Sequence, residues 1–309
     1  MSARIVAPND VSIAEAAEAI RRGELVVIPT ETVYGLAADA MSPSAIARVF
    51  AAKGRPAENP LIVHVSSIEE AGQVAVHMPE MAKRLGESFW PGPLTLVLPR
   101  AESLPREVTG NLDTVAVRIP NHLAALALIR AAGTPLAAPS ANPFTRLSPT
   151  RADHLDSAIL AHVAMVLDAG PCEVGVESTV LDLSGGAPRI LRPGGISREA
   201  IERVIGPIAD DPSDKEASRS PGQYPRHYSP RTPVKLVAKA DSDAAALVFS
   251  EPRSAHQLRM PANPLPYAAR LYAALHELDT LGAGEIQIEL PPLGPAWEAI
   301  HDRLKKASA

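Results

Sequence analysis

Short apolar runs alternate with amphipathic helical segments through residues 1–206, and this alternation limits the chain to a few fold classes. The run LVVIP at 25–29 is apolar on both faces, as in a strand that is covered on both sides of its sheet. Further apolar runs predict strands at 61–65, 94–98, 114–119, 135–139, 163–167, 178–183 and 189–193. Because helical segments separate only some of these strands, the sequence predicts an α/β fold with a mixed sheet flanked by helices.

Periodicity and end signals place the helices between these strands. Ser12 and Glu15 have the spacing of a capping box, and Gly23 is a stop signal for the first helix. Ser42, followed by a proline, opens a second helix that we expect to end at Gly54. Four more helices are predicted at 69–76, 80–89, 122–132 and 198–205.

A change in composition after residue 206 divides the chain. Residues 207–232 lack hydrophobic periodicity and are rich in Pro, Ser and charge, which predicts an interdomain linker between a 1–206 domain and the rest. Residues 233–309 regain periodicity and predict a small Rossmann-like α/β domain. Its strands are expected at 234–238, 246–250 and 286–290, and its helices at 267–281 and 297–306.

Charge and cysteine content exclude several classes of protein. The chain has 30 basic and 35 acidic residues, and residues 1–206 have 18 against 22, so nucleic-acid binding through bulk positive charge is not supported. The single cysteine, Cys172, excludes an intramolecular disulfide framework and a Cys-rich metal site. Without a signal-like start or an apolar stretch of about 18 residues, we expect a cytoplasmic protein with no membrane segment. P-loop, dinucleotide-binding, α/β-hydrolase and zincin motifs are absent.

Polar side chains cluster where the predicted strands end. The strand at 25–29 leads into Thr30, Glu31 and Thr32, at the position where α/β sheets commonly bind ligands, although a loop that uses threonine for local capping fits the same pattern. Lys53 follows the second helix closely, and a solvated helix end is the alternative to a binding role.

Arginine adds charge to these strand ends. Arg118 ends an apolar strand, where its guanidinium requires an anionic partner or water. Arg55 and Arg192 occupy similar positions beside hydroxyl and amide groups. Such a set suits a polyanion such as a nucleoside triphosphate, whose phosphates can be bound by guanidinium forks without a P-loop.

The motifs PTETVYGLAADA, KGRPAENPLIVHV, FWPGPLTLVL, VAVRIP, APSAN, ESTVLDL and ILRPGG occur in this order. In order and spacing they resemble the YrdC-like threonylcarbamoyl-AMP synthases, whose two-domain form also has a linker similar to SPGQYPRHYSPRTP and a small C-terminal domain. The resemblance implies a YrdC-like twisted mixed sheet. It also implies synthesis of threonylcarbamoyl-AMP and pyrophosphate from L-threonine, bicarbonate or CO2, and ATP, for the t6A modification of tRNA by a separate transferase complex.

The resemblance also implies roles for individual residues. For L-threonine it implies a pocket of Thr32, His64, Arg118, Ala138 and Ser178. For ATP it implies contacts from Arg55, Asn59, Thr114, Ser140, Ser148, Arg192 and Tyr228. Lys53 and Arg55 fall at the K-x-R positions, which implies a catalytic place near the phosphates. The linker departs from the family's usual SPGMKYRHY at Gln223, Tyr224 and Pro225, which puts the position of Tyr228 in question.

The chemistry of this reaction agrees with the residues. The carboxylate of threonine suits Arg118, and the carbamate formed on its amine must attack the α-phosphorus of ATP in line. Positioning and charge neutralisation are needed rather than a covalent nucleophile, and Mg²⁺ is expected to arrive with ATP, since the sequence shows no carboxylate cage. We expect 207–232 to act as a lid through His227 and Tyr228, so that truncation after Arg231 retains activity.

Two other functions remain open from the sequence. One is a carbamoyltransferase on the same fold, whose larger members carry zinc-finger and acylphosphatase-like segments that this chain lacks. The other is a non-enzymatic RNA-binding module, which the net charge disfavours, although a local patch around Arg48, Lys53 and Arg55 would allow direct tRNA contact.

Overall fold

The computed structural model describes residues 3–209 and 224–309, so residues 210–223 of the predicted linker lie outside the described chain. Within these ranges, the larger domain has one sheet of ten strands. They are β1 (Arg4–Val6), β2 (Leu25–Ile28), β3 (Gly35–Asp39), β4 (Ile62–His64), β5 (Leu94–Pro99), β6 (Thr114–Arg118), β7 (Leu136–Ala137), β8 (Val163–Leu167), β9 (Thr179–Asp182) and β10 (Arg189–Arg192).

The strand order is β1-β8-β2-β3-β7-β4-β6-β5-β9-β10. The sheet contains parallel pairs such as β4 with β6 and antiparallel pairs such as β5 with β6, which confirms the predicted mixed sheet. In the β4–β6 pair, His64 lies opposite Arg118. Because both residues end their strands, this register sets two predicted binding side chains next to each other.

Helices cover the sheet and connect its strands. They are α1 (Asp10–Arg21), α2 (Pro43–Lys53), α3 (Ile68–Val74), α4 (Glu80–Phe89), α5 (Leu123–Ala132), α6 (Ser157–Leu160) and α7 (Arg198–Ile205). The Ser42 cap and the left-handed Gly54 stop of α2 are confirmed. The predicted Ser12–Glu15 box is wrong, because Asn9 caps α1 and pairs reciprocally with Ser12 at 3.0 Å and 2.9 Å.

Strand β3 was not predicted, because GLAAD has weak β propensity and was interpreted as part of a loop. It forms because β2 and β7 pair with it on both sides. Gly35 begins β3, and a Cβ there would lie 3.3 Å from the Cβ of Ala138 and 3.6 Å from the carbonyl oxygen of Pro139. Glycine therefore allows the 138–140 turn to approach the start of this strand.

The two faces of the sheet are covered differently. Helix α2 and the helices near it cover one face, where residues such as Val27 and Val63 are buried. On the opposite face, α1 and α5 bury side chains of β2, β3, β7 and β8. Farther along this second face lies a small apolar cluster of Ile62, Val97, Ala116 and Val180. His64 and Arg118 share the face of this cluster, since they lie two residues beyond Ile62 and Ala116.

The C-terminal domain has a four-stranded parallel sheet in the order β11-β14-β12-β13. Its elements are β11 (Val234–Val237), β12 (Ala245–Val248), β13 (Gln257–Arg259), α8 (Pro264–Asp279), β14 (Ile286–Glu289) and α9 (Glu298–Ala307). Its core also buries Val33, Leu147 and Val176 of the larger domain, so the two domains share one apolar cluster. No helix in the described ranges is long and apolar enough to cross a bilayer.

Candidate active site

A cavity of about 40 Å³ opens on the second face of the large sheet, where β2, β4, β6, β7 and β10 end and β3 and β9 begin. Most of the residues implied by the resemblance line it together: Thr32, Arg55, His64, Arg118, Ala138, Ser140, Ser178, Arg192 and Tyr228. Lys53, Asn59, Thr114 and Ser148 are not among its lining residues. This volume corresponds to a few water molecules.

Arg118 is held in a fixed orientation at the end of β6. Its Nε donates to the carbonyl of Gly92 at 3.2 Å, and Nη1 donates to Thr32 Oγ1 at 3.1 Å. Its Nη2 forms an ion pair of 2.6 Å with Glu31, and both side chains are almost fully buried. A guanidinium fixed in this way can present its remaining N–H groups to a carboxylate.

His64 lies beside Arg118 as a neutral group. Burial, followed by the charge of Arg118, lowers the pKa of His64 to about 3. Its Nδ1 is buried without a hydrogen-bond partner among the described residues. A buried polar atom left in this state is costly unless a ligand or water satisfies it, which favours a binding role.

Arg55 is another buried cation in the lining of the cavity. It donates to Asn59 Oδ1 at 2.6 Å and to the carbonyl of Pro60 at 2.8 Å, and burial lowers its pKa to about 9. Asn59 therefore positions Arg55 from behind the cavity wall. The buried Nη2 of Arg55 is thus aligned by the loop that follows α2.

Lys53 has a different place from the one implied by the resemblance. Its ammonium donates to the carbonyl oxygens of Ser140 and Asn142, and its pKa is well below the usual range because the group is buried. It therefore supports the 138–142 turn, whose Ala138 and Ser140 line the cavity, and does not itself face it.

Two further residues implied for ATP also lie outside the lining. Ser148 donates to Glu177 Oε1 at 2.6 Å and fixes that carboxylate. Thr114 begins β6, four residues before Arg118, which corresponds to about 13 Å along a strand. It shares a face with Arg118, so it lies farther along the surface that carries the Ile62–Ala116 cluster.

Ser178 and Arg192 form the opposite wall. Arg192 donates from Nε and Nη2 to the Ser178 carbonyl at 3.1 Å and 2.9 Å, and from Nη2 to Ser178 Oγ at 3.1 Å. Gly194 follows, and a Cβ there would lie 2.4 Å from the carbonyl oxygen of Glu177. Because glycine has no Cβ, the turn after β10 can approach the residues before β9 this closely.

Tyr228 closes the cavity from the linker side. Its hydroxyl is buried without a hydrogen-bond partner among the described residues, and burial raises its pKa to about 12. The guanidinium of Arg303 lies 4.8 Å above its ring, and the preceding His227 N–H donates to the carbonyl of Lys306 at 3.2 Å. Tyr228 and His227 therefore contact α9, and truncation after Arg231 would remove these contacts.

The sequence analysis missed Glu177, Tyr272 and Arg303. Glu177 lines the cavity and accepts hydrogen bonds from Tyr272 at 3.1 Å and from Arg303 Nε at 2.7 Å. Glu177 precedes Ser178 in the VEST motif, which could have indicated it. Arg303 lies on the amphipathic helix α9, and no local pattern distinguishes it from an exposed helical arginine.

Cys172 is not a suitable nucleophile for covalent catalysis. Its thiol is buried, and burial raises its pKa to about 12, so it stays protonated. Ser178 shares a hydrogen bond of 2.7 Å with Thr95, and within the described ranges no histidine forms a hydrogen bond with its hydroxyl. The site thus offers cations and hydroxyl groups that bind and orient anionic substrates.

Comparisons with known proteins show the family of the chain. The family model described as "Telomere recombination" (Sua5, YciO and YrdC) matches residues 18–194, more than half of the chain. The chain belongs to this family. Residues 196–309 match the family described as "Threonylcarbamoyl-AMP synthase, C-terminal domain".

Relatives within this family extend the match to both domains. The threonylcarbamoyl-AMP synthase of Pyrococcus abyssi is 41% identical over 95% of this chain and 93% of its own, and that of Bacillus subtilis is 48% identical over 74% and 67%. The crystal structure of P. abyssi Sua5 complexed with L-threonine has 38% identity and a TM-score of 0.91, covering 99% of this chain and 97% of its own. The predicted combination of a mixed sheet with a second α/β domain is confirmed at the level of the whole fold.

Proposed function

We propose that the protein is a threonylcarbamoyl-AMP synthase, which joins L-threonine, bicarbonate or CO2, and AMP from ATP, and releases pyrophosphate. The observation that carries this proposal is the cavity in which Arg118, His64 and Thr32 meet Arg55, Arg192 and Tyr228. Arg118, His64 and Thr32 suit an amino acid with a carboxylate and a hydroxyl. The guanidinium groups of Arg55 and Arg192 suit phosphates. The names of the relatives support the same activity.

Threonine is held by complementary charge and hydrogen bonds. Arg118 binds its carboxylate, because Glu31, Thr32 and Gly92 keep the guanidinium from turning away. His64 is neutral, so its unpartnered Nδ1 can form a hydrogen bond with the substrate without adding charge. A buried polar group that pairs with the side-chain hydroxyl would be left unsatisfied by valine, which disfavours valine by about 1–3 kcal/mol.

The reaction requires two anions to approach each other. Uptake of CO2 by the threonine amine forms an N–C bond and releases a proton, giving a carbamate. One carbamate oxygen attacks the α-phosphorus of ATP, an O–P bond forms, and the bond to the β-phosphate oxygen breaks, releasing pyrophosphate. Arg55 and Arg192 reduce the repulsion between the reactants, and Tyr228 excludes water that would hydrolyse the mixed anhydride.

Mg²⁺ is part of the proposal as the partner of ATP. Within residues 3–209 and 224–309, no group of three His, Cys, Asp or Glu side chains could hold a metal ion. Both oxygens of Glu177 already accept hydrogen bonds from protein donors. The donor set therefore fits a cation held by phosphates and water. Such a cation would neutralise phosphate charge.

A carbamoyltransferase and an RNA-binding module are the alternatives that the test must separate. The test is pyrophosphate release from ATP without RNA, with threonine and bicarbonate added together or singly. The proposal requires release only when both are present. Release with carbamoyl phosphate in place of both would identify the carbamoyltransferase, and no release under any condition would favour the binding module. We also propose that the product passes to a separate tRNA-modifying transferase, since an adenylate of this kind hydrolyses readily.

A further inference from the structure

Glu177 presents an electrostatic problem for a site that binds a triphosphate. It is a buried carboxylate on the wall of the cavity that also contains Arg55 and Arg192. An uncompensated negative charge there would repel ATP and weaken the effect of the arginines, because buried charges interact strongly in a medium of low dielectric constant.

The C-terminal domain supplies the compensating charge. Arg303 on α9 is fully buried, and its Nε donates to Glu177 Oε2 at 2.7 Å across 126 residues of sequence. Its Nη1 donates to the carbonyl of Pro193 at 3.0 Å, which anchors the guanidinium to the turn after β10. Asp302 pairs with Arg303 and also with Lys306 at 2.7 Å on the more exposed side of α9.

The state of Glu177 agrees with this pairing. Burial alone would raise its pKa, but the charges of Arg303 and Arg192 and the hydrogen bond from Ser148 lower it to about 2. The carboxylate is therefore ionised at neutral pH. Its four close donor contacts leave no oxygen directed at a ligand without a protein partner.

We propose that Arg303 is a positioning residue of the active site, by which the C-terminal domain neutralises Glu177 so that the cavity stays attractive to ATP. The same guanidinium lies 4.8 Å above the ring of Tyr228. The inference rests on the proposed function, since it concerns the ATP half of the same cavity.

Binding of a non-hydrolysable ATP analogue, measured by calorimetry, tests the proposal. Arg303→Met should weaken the analogue about tenfold or more, because it leaves the charge of Glu177 uncompensated. Threonine affinity should not change, since among the described residues Arg118 and His64, at the ends of β6 and β4, form no hydrogen bond with Glu177 or Arg303. Arg303→Lys, which keeps the charge, should retain most of the affinity, and Arg106→Met, which removes an exposed guanidinium, is the matched control.

Rescue separates a charge role from a packing role. In Arg303→Met/Glu177→Gln neither charge remains, so ATP affinity should return to within about threefold of wild type. If the double variant is as weak as Arg303→Met, the residue acts through packing and the proposal is overturned. Wild-type affinity in folded Arg303→Met would also overturn it. If the wild-type protein binds no analogue, the proposed function itself fails, and the inference falls with it.

Discussion

The buried ion pair between Arg118 and Glu31 allows threonine binding and folding to be tested separately. Both side chains are 4% exposed or less, and the ion-pair distance is 2.6 Å. In Arg118→Met the carboxylate of Glu31 remains buried without its counter-charge. Removal of one partner from such a pair costs about 3–5 kcal/mol of stability, so Arg118→Met should be less stable than wild type.

The second variant, Arg118→Met/Glu31→Met, removes both charges and keeps the volume similar. Replacement of a buried pair by apolar side chains is often close to neutral, so this variant should recover more than half of the lost stability. Threonine binding should stay absent in both variants. Loss of the buried partner of the threonine carboxylate should weaken the free energy of binding by about 2–5 kcal/mol, which is roughly 30- to 4,000-fold in affinity.

Urea unfolding gives the stabilities, and calorimetry with L-threonine gives the affinities. If both variants were equally unstable, Glu31 would not be the group left uncompensated, and the reasoning about the pair would be wrong. If the double variant bound threonine as wild type does, Arg118 would not be the carboxylate partner.

Three further predictions use other buried groups. Tyr228→Phe removes a hydroxyl without a partner among the described residues, so it should stabilise the ligand-free protein by about 1 kcal/mol and weaken binding of the ATP analogue. Thermal unfolding with and without the analogue measures both effects. A loss of stability in the ligand-free variant would contradict this prediction. In the folded protein His64 and His227 each have a pKa of about 3, whereas a histidine in the unfolded chain takes up a proton below about pH 6.5. Acidification between pH 6.5 and 3 should therefore lower the free energy of unfolding by about 1.4 kcal/mol per pH unit for each histidine. Urea unfolding at pH 7 and 5 should show a smaller difference for His227→Gln than for wild type, and equal differences would refute this. Lys53→Met leaves two carbonyl oxygens without their donor and should lower the free energy of unfolding by about 2 kcal/mol. The control, Lys83→Met at an exposed position, should not lower it. Equal melting temperatures for the two variants would show that Lys53 does not support the 138–142 turn.

Local patterns predicted the parts of the fold that depend on local physics. Helix α4 spans 80–89 and α7 spans 198–205, as expected from their apolar spacing and end signals. Strands with apolar runs rich in valine, such as β6 and β8, were also predicted. Strand β3 was missed because its pairing partners, and not its own residues, stabilise it.

The same distinction applies to the site. Arg118, His64 and Ser178 could be predicted because polar residues at the ends of apolar strands point to a ligand edge. The coupling of Glu177 to Arg303 could not be predicted, because the two residues are 126 positions apart and no local pattern distinguishes Arg303. The support of the 138–142 turn by Lys53 could not be predicted either, since a lysine at the end of a helix equally fits a solvated position.

Product analysis by mass spectrometry tests the central claim most directly. The protein is incubated with ATP, L-threonine and ¹³C-bicarbonate, and the adenylates are analysed at once to limit hydrolysis. The account predicts an adenylate with the mass of threonylcarbamoyl-AMP that carries one ¹³C, forms with an equal amount of pyrophosphate and is absent from Arg118→Met. Pyrophosphate release with only unlabelled AMP or threonyl-AMP as product would contradict it.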